Sequence, residues 1–131
     1  MSERDLLDEL QNSLEDYLSN VNGSQSIFIA TLDGHLLVEK NRNKHLVEQL
    51  VPMAGSVLGI SETLASQLMK QKLLDNIVLM ENHVLGLFKI QDKEDSLFLG
   101  VICDRLTSLG KMINFAKIAI KDINKTLIEL N

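Results

Sequence analysis

Tryptophan is absent from this 131-residue chain, tyrosine occurs once, and phenylalanine occurs four times. So few rings offer little on which nucleic-acid bases could stack. Acidic residues outnumber Lys and Arg by 18 to 13, and the resulting formal charge of −5 argues against a general nucleic-acid binder. The one cysteine, Cys103, cannot form an internal disulfide. No apolar run approaches the roughly 18–20 residues of a membrane span. Met1 is followed by the polar Ser2-Glu3-Arg4-Asp5, unlike a secretory leader. A cytoplasmic protein with no stable membrane insertion is the expectation.

The usual constellations of catalysis are also missing. His35, His45 and His83 read as a hairpin, a loop edge and a turn, without the spacing of a zinc or iron site. Cys103 ends an apolar strand and reads as a small core residue. Gly55 and Gly59 lie inside a helical pattern with no Gly-Lys-Ser/Thr ending, so they form no phosphate loop. Asp104-Arg105 follows a strand and reads as a capping or salt-bridged pair. Arg4, Arg42 and Arg105 are the only arginines, which leaves few candidates for an arginine finger. No catalytic, cofactor-binding or metal-ligating residue is expected.

What is present is patterned. With 45% hydrophobic and 24% charged residues, the composition is that of a globular domain, and the length suits a single domain over 1–131. Residues 2–21 read as a helix capped by Ser2, with Leu6, Leu7, Leu10, Leu14, Tyr17, Leu18 and Val21 on one stripe. Gly23 suits the positive φ that ends it. Residues 26–32 and 35–40 read as strands joined by an Asp33-Gly34 hairpin turn. A short turn at 45–51 leads to a main helix from Pro52 to about Lys70, proline being tolerated in a first helical turn. Strands follow at about 76–81, 84–91 and 96–103, with turns at 81–83 and 92–95. A last helix spans 107–130.

The first and last strands are apolar on both faces, as strands are when covered on both sides. The fold class is therefore α+β, ordered α-β-β-α-β-β-β-α, with a five-stranded, mainly antiparallel sheet and helices on both faces. The terminal helices carry opposite charge. Residues 1–20 hold six acids and one base, whereas residues 105–131 hold five bases and two acids. These are either two solvated faces lying side by side or a docking patch for an acidic partner or anionic surface.

The middle helix is the informative element. Between Val51 and Met69 its only charge is Glu62, although a helix on the surface of a monomer should show a charged face. At 100° per residue, Met53, Val57, Ile60, Leu64 and Leu68 fall together and are expected to pack on the sheet. The other side carries Gly55, Gly59, Thr63 and Ser66, with Glu62 at its margin. Each interior glycine costs about 0.8–1 kcal/mol relative to alanine. Close approach of a second helix would offset that cost, and a two-fold subunit contact through Gly55, Gly59, Thr63 and Ser66 is expected, the alternative being that another part of the same chain covers this face or that the glycines are simply tolerated.

The order of these elements resembles a roadblock-type domain of the dynein light-chain family, most similar to its bacterial, MglB-like branch. The resemblance is carried by Ile27-Phe28-Ile29-Ala30-Thr31-Leu32-Asp33-Gly34 leading to His35-Leu36-Leu37-Val38, then the small-residue helix Ala54–Ala65, three strands, and Ser108-Leu109-Gly110 opening the last helix. It spans about residues 3–130. It implies the profilin-like roadblock fold and a homodimer whose middle helices pair and whose Ile77-Val78-Leu79 strands join across the two-fold. It also implies a small Ras-like GTPase as partner, stimulated by reshaping of its switch regions and not by a donated catalytic residue. Glu62, Gln67 and Lys70 are the expected partner contacts. Pro52 departs from the expected pattern near the surface where such a partner would sit.

Three functions compete at this point. A GTPase regulator would bind in a nucleotide-dependent way, and a dimeric scaffold would bind regardless of nucleotide. A small-ligand sensor would need an internal pocket, which the bulky Phe88 and Phe98 argue against.

Overall fold

The structure, a computed structural model, describes residues 2–43, 47–90 and 96–129. The chain runs α1 (Glu3–Asn20), β1 (Ser24–Thr31), β2 (Leu36–Asn41), α2 (Val47–Thr63), β3 (Asn76–Leu79), β4 (His83–Ile90), β5 (Leu97–Asp104) and α3 (Leu109–Ile128). A π-helical turn over Leu64–Leu68 prolongs α2. His45, the expected turn at 92–95 and Leu130 lie outside the described residues.

Local chemistry accounts for the element ends. Ser2 caps α1: its hydroxyl accepts from the Asp5 backbone N–H while the Asp5 carboxylate accepts from the Ser2 N–H. Ser108 accepts from the Lys111 N–H at the start of α3. Gly34, at φ +102°, supplies the left-handed position of the β1–β2 turn. This turn rests on Pro52, because a Cβ on Gly34 would stand 3.3 Å from the Pro52 Cα. Pro52 does not open the helix as expected. It lies inside α2, which is already helical through Val47–Val51.

The sheet order is β2-β1-β5-β4-β3, and every pairing is antiparallel. The register of β1 against β2 shifts at Ile29/Ala30, a local bulge. The strands alternate between two cores. On one face α1 and α3 cover Ile27, Ile29, Phe88, Leu99, Val101 and Cys103. On the other, α2 covers Phe28, Ala30, Leu85, Leu87, Phe98 and Ile102. Phe28 and Phe98 meet edge to face, 5.9 Å between centroids at 83°. Tyr17 ties the first helix to the last, its hydroxyl donating to the Met112 carbonyl at 3.0 Å.

Candidate functional site

The face that α2 turns to the sheet is not the one its hydrophobicity suggests. Val47, Val51, Ala54, Gly55 and Leu58 are buried. Met53, Val57, Ile60, Leu64 and Leu68, expected in the core, all point outward, with Met53 68% and Ile60 and Leu68 72% exposed. The physical reason is proximity. The small Ala54 and Gly55 let the helix backbone settle on the end of β1, where the Leu32 carbonyl leaves no space for a Cβ at Gly55. Gly55 therefore belongs to packing within the chain and does not lie on the outer face. Gly59 does: nothing lies within 4 Å of where its Cβ would be.

Beside the apolar stripe runs one of small residues, Ser56, Gly59, Thr63 and Ser66. Its hydroxyls are turned back on their own helix. Ser56 donates to the Pro52 carbonyl at 3.1 Å, Thr63 to Gly59 at 3.0 Å and Ser66 to Glu62 at 2.8 Å. Already satisfied, they cost little to remove from water. The outward surface of α2 is thus apolar or internally paired along most of its length.

At the edge of the sheet lies β3, bonded on one side to β4. Its Ile77 packs toward the α1/α3 core and its Val78 toward the α2 core, while Leu79 is exposed. Such an edge offers a row of backbone donors and acceptors to a further strand.

The end of α2 is held by charge and by an unusual turn. Lys89 Nζ, on β4, donates to Glu62 Oε1 at 2.7 Å. Glu62, expected to meet a partner, is engaged within the chain. Gln67 and Lys70 are exposed. In the π-turn Met69 N–H donates to the Leu64 carbonyl at 3.1 Å, and Gln71 N–H to that of Ala65 at 2.8 Å. Lys70, at φ +56°, occupies the left-handed position between them. Neither the outward direction of the apolar stripe nor the role of Lys89 was legible in the sequence. The near-absence of charge in α2 marked the surface but could not say which side of the helix was which.

The remaining polar candidates take structural places. Cys103 is fully buried, and burial raises its thiol to about 11, opposed by a hydrogen bond with Tyr17 and assisted by the Asp104 charge. Burial, with Cys103 nearby, pushes the Tyr17 phenol well above its usual range. Asp104 accepts from Gln25 Nε2 at 2.8 Å. The Thr31 hydroxyl donates to Asp33 and holds that exposed carboxyl below its ordinary value, with His35 adding to the effect. Among the described residues no group of three or more His, Cys, Asp or Glu could hold a metal ion. A cleft of about 400 Å³ separates α3 from the α2–β3 connection. Its charged walls include two ion pairs, Glu62–Lys89 and the looser Asp75–Lys117 at 3.9 Å. Phe88 and Phe98 are buried and fill the two cores as expected. No described helix is long and apolar enough to cross a membrane.

No family model matches the sequence, and neither does any curated protein. Solved structures do match in shape. MglB of Myxococcus xanthus superposes with a TM-score of 0.85 at 16% identity, covering 100% of this chain and 96% of that one. The gliding protein MglB of Thermus thermophilus gives 0.82 at 16% identity, over 95% and 92% of the two chains. A Roadblock/LC7 domain from Streptomyces avermitilis gives 0.80 at 10% identity, over 88% and 95%. The fold of this chain is therefore the roadblock fold, in the three-helix form that the MglB structures share over nearly their whole length.

Proposed function

We propose that this chain is a homodimeric regulator that binds a small Ras-like GTPase and modulates its GTP hydrolysis without donating a catalytic residue. One observation carries the reading: on a roadblock fold, an apolar stripe of α2 faces outward. Large aliphatic side chains left in water at five successive turns forgo about 1.5–3 kcal/mol each on full burial. A second copy meeting α2 through Met53, Ile60 and Leu64, with Gly59, Thr63 and Ser66 allowing close approach, removes them from water. The Ile77-Val78-Leu79 edges extend one sheet into the next. Gln67 and Lys70, beyond that seam, are the proposed GTPase contacts, and Glu62 contributes by fixing the helix end. Assembly is through proteins alone, in the cytoplasm, with no cofactor.

Two measurements test the reading. Light scattering at micromolar concentration should give twice the 14.7 kDa of one chain. Ile60→Asp should raise the dimer dissociation constant about 100-fold, the equivalent of about 2.8 kcal/mol. The immobilised protein should then capture a small GTPase from a lysate of the source cells loaded with a non-hydrolysable GTP analogue, and not from one loaded with GDP. The captured GTPase should hydrolyse GTP faster in its presence. Capture indifferent to nucleotide, with an unchanged rate, would make the chain a scaffold.

A further inference from the structure

The sheet has a notch because β3 is shorter than β4. Asn76 of β3 stands opposite Leu87, so residues 88–90 of β4 run past the end of β3. The cleft of about 400 Å³ between α3 and the α2–β3 connection opens there. Both cores contribute to its walls: Leu73 packs with the α2 core, Ile120 with the α1/α3 core, and the buried Phe88 also lines it. The walls are pinned. Lys89 holds Glu62 at 2.7 Å, Asn76 Nδ2 donates to Ser61 Oγ, and the Gln71 N–H donates to the Ala65 carbonyl at 2.8 Å. Two polar side chains in the cleft are left over. The Lys72 ammonium has no ion pair or hydrogen bond among the described residues, and neither has the Asn124 amide, whose Oδ1 is buried without a donor. A third, Lys117, meets Asp75 only at 3.9 Å.

We propose that this cleft binds a small amphipathic carboxylate, an organic acid with an aliphatic body. Lys72 and Lys117 hold the acid group, and the Asn124 amide is a further hydrogen-bonding group beside them. The body lies against Leu73, Leu74 and Ile120, which takes the 73%-exposed Leu74 out of water. Charge selects a monoanion. Lys72, Lys89 and Lys117 face Glu62 and Asp75 around the cleft, which leaves one positive charge there on a chain that carries −5. A nucleotide fits less well, because no arginine fork lines the cleft for its phosphates and Phe88, 1% exposed, offers no face for a base. The volume lies within the roughly 300–1,000 Å³ of small-molecule sites. The cleft is open at the surface, so it coexists with cores filled by Phe88 and Phe98, and it stands without the GTPase reading.

Octanoate is the probe, titrated into the isotope-labelled protein and followed by NMR. Backbone signals of residues 72–75 and Ile120, with the side-chain amide of Asn124, should shift and saturate. The dissociation constant should be about 1 mM or lower, as suits a ligand of so few atoms. Acetate carries the charge without the body, and octanol the body without the charge; each should bind about tenfold more weakly or worse. Lys72→Glu should weaken octanoate about tenfold, whereas Lys121→Glu, the same charge change on α3 outside the cleft, should leave it unaltered. Both lysines are exposed, so both variants should fold. Shifts that never saturate, or that gather on Met53, Ile60 and Leu64 instead, would mean that octanoate merely coats apolar surface, and the site is refuted. Equal binding of octanol, equal binding of acetate, or equal effects of the two lysine variants also overturns it. Neither nucleotide nor GTPase enters the titration, so its failure leaves the regulator reading intact, and a failed GTPase capture leaves the cleft intact.

Discussion

Gly55 sits so close to the carbonyl oxygen of Leu32 that a methyl group on its α-carbon would overlap that atom. Four residues later Gly59 faces open space on the same helix. Helix propensity favours alanine at both positions by about 0.8–1 kcal/mol. Packing opposes it only at the first. Gly55→Ala should lower stability by about 1–3 kcal/mol through overpacking. Gly59→Ala should raise the stability of the isolated protomer by up to about 1 kcal/mol. Urea unfolding of both, in an Ile60→Asp background, checks the opposite signs. Gly59→Leu should weaken a dimer formed through α2; a full dimer carrying that change would place the seam elsewhere.

The Glu62–Lys89 pair links the end of α2 to β4, with Lys89 mostly covered and the Glu62 side chain 41% exposed. That exposure screens the interaction, so Glu62→Gln should cost only about 0.5–1 kcal/mol of stability. Its larger effect should fall on order at the helix end. Hydrogen exchange should quicken over residues 62–71 and stay unchanged in α1.

Lys70 holds a left-handed conformation, which costs an L-residue with a side chain about 1–2 kcal/mol. Lys70→Gly should therefore stabilise the fold by about 1 kcal/mol, less the greater freedom of glycine in the unfolded chain. If Lys70 also touches the proposed GTPase partner, the same variant should be more stable and bind less well. A merely structural role would leave binding intact.

Cys103 and Tyr17 both keep their protons more tightly when folded than when unfolded. Each therefore contributes stability that is complete below its unfolded value and is lost as pH rises through its folded one. For Cys103 that window runs from 9.0 to about 11. The urea midpoint should hold steady from neutrality to about pH 9 and then fall. Cys103→Ala should remove part of the fall. Ellman's reagent should label the native thiol at pH 8 only as fast as the chain unfolds.

Where structure is set by neighbours along the chain, the sequence was readable. Asp33-Gly34 announced its hairpin and Ser2 its helix, and most element ends fall within two residues of expectation. What depends on distant neighbours was not. The hairpin signals could not reveal that β1 pairs with β5 on its other side. Nor could periodicity orient α2, because both of its stripes are apolar and the more hydrophobic one is outside. The core-facing side is the one with Ala54 and Gly55, chosen by how closely the backbone must approach. Glu62 looked like a free surface charge because Lys89 is 27 residues away.

The hydrogen bond from Tyr17 to Met112 spans 95 residues. Its consequence concerns synthesis. α1 is synthesised well before its packing partner α3, and until α3 emerges, the sheet face opposite α2 has only half its cover. A nascent chain halted after β5 would display Val101, Cys103 and Phe88 beside an untethered α1, the kind of sticky intermediate that chaperones retain. That face of the sheet closes only once α3 has joined it.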